Sequence, residues 1–98
     1  VAERVAKARS VQMTRFADHP TVRVNADAEG RLLEEIATPD TEGRAVLAKA
    51  ADRFGLSARA YHRILRVART LADLDGSAEV RKPHVLEAVG YRIAYQTS

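Results

Sequence analysis

Between Leu56 and Leu74 the apolar positions Tyr61, Ile64, Leu65, Ala68, Leu71 and Ala72 recur at steps of three and four. That is the period of a helix with one wide buried face. Ser57 precedes the pattern as an N-cap and Gly76 follows it as a terminator, so a helix is predicted over Ala58–Leu74. Arg59, Arg63, Arg66, Thr70 and Asp73 fall on the opposite side of the helical wheel, the side expected to face water.

The rest of the chain reads in the same way. Val1, Val5, Ala8 and Gln12 share one face of a helix over Val1–Arg15 that is already under way at the first residue. The chain is therefore expected to be a piece of a longer protein, with Val1 near a domain boundary. Phe16 to Val24 reads as an irregular connection punctuated by Pro20. Asn25 is the expected cap of a second helix, Ala26–Ala37, with Asp27 and Glu29 in its first turn and Leu32, Leu33 and Ile36 inward. Thr38 followed by Pro39 predicts a third helix, Pro39–Phe54, with Val46, Leu47, Ala50 and Phe54 inward and Gly55 at its left-handed end. After an extended piece at Ala78–Arg81, Pro83 opens a fifth helix to Tyr95, with Val85, Ala88, Val89 and Ile93 inward. The expected fold is all-α: a small five-helix bundle with a long amphipathic fourth helix, one domain over residues 1–98.

Composition agrees with one small domain and narrows its chemistry. Of the 98 residues 46% are hydrophobic, much of this alanine, and only 5% are aromatic, which suits close-packed helices better than a sheet. There is no cysteine, so disulfides and thiolate metal sites are excluded. No apolar run approaches 18 residues and no signal-like segment opens the chain, so a cytoplasmic location without membrane contact is expected. The net charge of +3 and pI of about 9.7 permit nucleic-acid or nucleotide contact without demanding it.

Catalytic chemistry finds no support. His19, His62 and His84 lack metal-ligand spacing, and each is expected to be a solvated surface residue. No nucleophile elbow or glycine-rich phosphate loop occurs. No catalytic residue and no metal site are expected in this chain.

The arginines of the fourth helix remain. Arg63 and Arg66 have the spacing of any solvated helix face. Arg59 stands two positions after the Ser57 cap, where a cation costs about 0.3–1 kcal/mol against the helix dipole. The same helix end has unpaired N–H groups aimed outward. With the guanidinium beside them, it can form a composite phosphate receptor.

The run Gly55–Leu74 (GLSARAYHRILRVARTLADL) resembles the C-terminal helical lid domain of magnesium-chelatase-like AAA+ ATPases, in the ComM/YifB-type branch linked to competence and recombination. Gly76-Ser77, the stretch Val80–Arg92 (VRKPHVLEAVGYR) and the leading RVAKARSVQMTR fit the same family, so the resemblance spans nearly the whole chain. One departure is His84, where the family often has an acidic residue after the proline.

The resemblance implies that Arg59, in Leu56-Ser57-Ala58-Arg59, is the sensor-2 arginine that reaches the γ-phosphate of ATP bound to an upstream core. ATP and Mg²⁺ would then be cofactors of the full-length protein only, with none held by this domain alone. The implied partners are the upstream ATPase core and neighbouring subunits of a hexameric ring, with DNA left open as a further one. Two other classes stand beside this reading: a free-standing DNA-binding module using Arg63, Arg66 and Arg69 as phosphate contacts, and a purely structural interaction domain.

Overall fold

A computed structural model describes the backbone of residues 2–97 and side chains up to Arg92. Val1, placed on the face of Val5, Ala8 and Gln12, and the side chain of Ile93, expected inward, lie outside the described residues. Among the described residues there are five α-helices and one turn of 3-10 helix, and no strand. The helices are α1 (Ala2–Arg15), α2 (Gly30–Ala37), α3 (Thr41–Phe54), α4 (Ala58–Leu74) and α5 (Lys82–Thr97), with the 3-10 turn at Asn25–Asp27. Helix α4 is the axis of the bundle. It packs against α5, α1, α2 and the 3-10 turn, while α3 lies on α5.

The core has the thin side chains that the composition suggests. Leu33, Ala37, Leu47, Ile64, Leu65, Ala68, Ala72, Val80, Val85 and Ala88 form one buried cluster. Alanines on α4 and α5 let helix backbones approach closely, and the bulk comes from leucine and valine between them. In α1 only Ala8 and Gln12 are buried; Val5, on the same face by the sequence pattern, is exposed.

Two helix starts differ from expectation. Asn25 does not cap a continuous second helix: Asn25–Asp27 is a separate 3-10 turn, and α2 begins at Gly30, whose φ of +54° breaks the path between them. Glycine adopts that left-handed conformation without the steric cost a side chain would add. Thr38 closes α2 instead of opening α3, and its hydroxyl donates to the Glu34 carbonyl. The cap of α3 is Asp40, whose carboxylate accepts the Gly43 N–H at 2.7 Å, and the Asp40 N–H donates to the Val80 carbonyl at 2.9 Å. A carboxylate accepts that helix-end donor more strongly than a hydroxyl, which places the start two residues later.

Helix α5 starts one residue before Pro83 and runs to Thr97, two residues past the expected Tyr95, whereas the bounds of α4 and the end of α3 follow expectation. Ser57 Oγ accepts the Ala60 N–H at 3.1 Å and caps α4. Gly55 ends α3 at φ 57° and ψ 48°. Two inward assignments do not hold. Phe54, 41% exposed, sits in the last turn of α3 with the Arg53 guanidinium 5.7 Å from its ring centre. Tyr61, 36% exposed, lines a surface hollow with Pro39 and Leu65, as its hydroxyl favours the water boundary over the core.

Gly43 marks the tightest approach to α3. A Cβ there would lie 2.8 Å from the Pro39 Cβ, 2.9 Å from Asp40 Oδ1 and 3.3 Å from a Val85 methyl. In an open helix Gly→Ala stabilises by about 0.8–1 kcal/mol. Here the overpacking and the displaced cap reverse the sign. Gly43→Ala is expected to cost about 1–3 kcal/mol, read as a lower thermal midpoint of the chain.

Candidate anion-binding groove

Ser57 fixes the start of α4 and so sets the direction of its first two turns. Arg59 occupies the first turn and Arg63 the second, four residues on and on the same face. Both are exposed, and neither guanidinium has a hydrogen bond or ion pair with the described residues. They border an open groove of about 550 Å³ between α4 and α5. Ile64, Val67 and Ala88 give it an apolar floor, and Arg92 closes the α5 side. Three guanidinium groups therefore line one groove, and no carboxylate among the described residues lines it.

Arg92 escaped the sequence reading. The signal was there: it follows Ala88 by four residues and continues the inward stripe of Val85, Ala88 and Val89. A cation on an apolar stripe is out of place unless something receives it. Its Nε–H is shielded from solvent and has no acceptor among the described residues.

The other arginines of α4 do not face the groove. The Arg66 Nε donates to the Ala28 carbonyl at 2.8 Å. Arg69, its side chain only 5% exposed, donates to the carbonyls of Ile36 (3.1 Å), Ala78 (3.0 Å) and Ser77 (2.9 Å). It thereby satisfies backbone acceptors at the end of α2 and in the connection from α4 to α5. Arg69 is structural and offers no free guanidinium to a nucleic-acid phosphate, while Arg66 is half-buried and tethered through its Nε.

Asp73, expected on the solvent face, has a fully buried carboxylate (0% exposed). It receives Arg15 through two bonds of 2.8 and 2.9 Å, the Asn25 amide at 2.8 Å, and Arg69 at 3.0 Å. Asn25 completes the cluster: its amide also donates to Thr70 Oγ1 (3.1 Å), its Oδ1 accepts from Arg15 (2.8 Å), and its backbone N–H donates to Gln12 Oε1 (2.9 Å). The wheel misplaced this face because α1 and the 3-10 turn cover it. Burial raises the pKa of Asp73, but the bonds from Arg15 and Asn25 and the charges of Arg69 and Arg15 outweigh it, leaving the carboxyl below its ordinary value of 3.8.

His84 is buried, not solvated. Its Nδ1 accepts the Arg81 N–H at 2.9 Å and its Nε2 lies 3.0 Å from Asp75 Oδ2. One neutral tautomer, with the proton on Nε2, satisfies both contacts. The imidazole thus does at the start of α5 what an acidic side chain does in a capping box. His62 is half-buried and lines the hollow beside Tyr61, while His19 is exposed. No group of three or more metal-ligating side chains gathers among the described residues, and no helix is long and apolar enough to cross a membrane.

Residues 1–92 match the family described as the C-terminal domain of the magnesium chelatase subunit ChlI. The chain belongs to that family. Over 92 residues, 94% of this chain, it is 41% identical to the competence protein ComM of Haemophilus influenzae. It is 35% identical over 92 residues, again 94% of the chain, to the YifB protein of Escherichia coli. The chain spans 17% of the length of each of these relatives. Family membership and the groove meet at one place, since the matched region contains Arg59, Arg63 and Arg92.

Proposed function

We propose that this chain is the lid of a magnesium-chelatase-like AAA+ ATPase and that Arg59 senses the γ-phosphate of ATP held by an upstream core. The observation that carries this reading is the position of Arg59: first turn of α4, exposed, without a partner, on the rim of a groove lined by cations and no acid. The residues present suit a phosphate and little else of a nucleotide. Among the described residues the groove gathers no carboxylates for Mg²⁺, so the metal and the rest of the nucleotide would belong to the core. This domain alone neither hydrolyses ATP nor holds it.

Arg59 tolerates the dipole's repulsion because the helix end and the guanidinium face the same anion. Loss of the γ-phosphate removes a charge-assisted contact worth about 1.5–3 kcal/mol and leaves the repulsion. Arg59 and Asp73 are fourteen residues apart in α4, roughly 21 Å at the helical rise. Asp73 anchors α1, the helix by which the chain would join the core. The rod α4 thus links the phosphate contact at one end to the core connection at the other. Its movement would drive subunits of a hexameric cytoplasmic ring against one another, and in the ComM-like branch the work would be DNA branch migration in recombination or natural transformation.

In the assembled full-length protein, Arg59→Ala is expected to lower ATP turnover about 10- to 150-fold while the thermal midpoint stays level or rises slightly. Arg59→Lys recovers part of the rate, because an ammonium lacks the planar fork. Arg31, exposed on α2 away from the groove, is the control. Wild-type turnover and branch migration by Arg59→Ala, or a loss of stability in place of activity, refutes the sensor role.

A further inference from the structure

The geometry points to Arg92 as a second phosphate-binding arginine, reaching from α5 to the same anion as Arg59 so that the phosphate cross-links α4 and α5. This rests on the nucleotide reading given above and adds a contact from a different helix.

Three observations support it. The groove draws on both helices, with Arg59 and Arg63 on the α4 side and Arg92 on the α5 side. Among the described residues its lining holds three cations and no carboxylate; the acid closest in sequence, Glu87, accepts a 3.3 Å hydrogen bond from the Tyr91 hydroxyl and does not line the groove. The Nε–H of Arg92 is removed from water without an acceptor among the described residues. A buried donor without a partner is unfavourable, and so is the convergence of like charges on an apolar floor. An anion between the helices supplies the countercharge, and a turn of the Arg92 side chain toward it gives the Nε–H an acceptor.

The chemical class follows from the lining. Two or more guanidinium groups approaching from different helices suit an anion with several oxygens in different directions, as in a terminal phosphoryl group, better than a planar carboxylate. ATP presents such a group at the end of its chain, and ADP is one phosphoryl shorter. Without the bridge, the cations repel and α4 and α5 lose one of the constraints on their spacing. The γ-phosphate then controls the width of the groove as well as the orientation of the lid.

The test uses the full-length protein and titrates a slowly hydrolysed ATP analogue and ADP against four forms: parent, Arg92→Ala, Arg59→Ala and the double variant. Arg92→Gln, which keeps most of the stem, guards against a folding defect, and thermal midpoints are read in parallel. Arg92→Ala and Arg92→Gln are expected to weaken the analogue about tenfold and ADP less than about twofold, without a fall in midpoint. Arg92→Lys should recover part of the loss. The double variant should lose less than the sum of the two singles, as expected for two groups holding one ligand. Parental affinity for the analogue in Arg92→Ala overturns the inference, as does an equal loss for ATP analogue and ADP or a drop in midpoint shared by Arg92→Gln. If Arg92→Ala weakens the analogue and Arg59→Ala does not, the sensor role of Arg59 fails while the Arg92 contact stands. If only Arg59→Ala weakens it, the Arg92 contact fails alone.

Discussion

Asp73→Ala is expected to destabilise the chain by about 3–5 kcal/mol, the largest effect of any single surface-like position in its sequence. The carboxylate is fully buried, and it is the countercharge for both Arg15 and Arg69. Arg69 cannot escape to water, because its guanidinium is held by three backbone carbonyls in the interior. Removing Asp73 leaves buried positive charge uncompensated and strips acceptors from Arg15 and the Asn25 amide. The measurement is equilibrium denaturation, with a thermal midpoint lower by roughly 4–8 °C for each kcal/mol in a domain of this size. Asp73→Asn keeps the shape and some hydrogen bonds but not the charge, and should fall between parent and Asp73→Ala.

The same group gives the chain an acid limit. The folded carboxyl lies below its ordinary 3.8, so the folded state binds this proton less readily than the unfolded chain. The stabilisation is present above the unfolded value and is lost as pH falls through the depressed folded value. Burial pushes the pKa of Arg69 down, against the favourable charge of Asp73, and the guanidinium still stays charged through the working range. Acid titration of the parent and Asp73→Asn should therefore converge at low pH, since protonation abolishes the charge that the substitution removes.

Leu65→Ala is expected to cost about 2–5 kcal/mol. Leu65 is 3% exposed and belongs to the central cluster with Leu33, Leu47 and Ala68. The core is thin, and its many alanines cannot spread to fill a cavity the size of three missing carbons. Relaxation would have to move whole helices, so the cost should lie in the upper part of that range. Leu86→Ala, at a site 50% exposed, is the comparison and should change stability by no more than about 0.5 kcal/mol. Equal midpoints for the two variants in chemical denaturation would contradict the central position of α4.

The main helices were legible because the signals that set them are local. Ser57 and Gly76 bracket α4, and the step of three and four between Ile64 and Ala72 declares its buried face. Gly55 marks the end of α3 by its left-handed backbone. Arg59 could be singled out for the same reason, since a cation in the first turn of a capped helix conflicts with a local field. The starts of α2 and α3 were less legible. Thr38 and Asp40 are both competent caps, and the choice between them depended on the Asp40 N–H meeting the Val80 carbonyl from forty residues away.

What the sequence could not decide is which polar residues are solvent-facing. A helical wheel assumes one covered side, whereas α4 is covered on two: by apolar neighbours on one and by α1, the 3-10 turn and their polar groups on the other. Arg66 and Asp73 were therefore assigned to water, when Asp73 is buried and both are bonded inside the fold. His84 was misplaced because a cap contact with Arg81 and Asp75 outweighed its solvation. Arg92 joined Arg59 only when α5 was laid beside α4. The sequence by itself determined the helices, their apolar stripes, the family and one conspicuous arginine, because periodicity and capping act over a few residues. The tertiary structure alone decided which charges pair and which stay open to an anion, because that depends on groups brought together from distant parts of the chain.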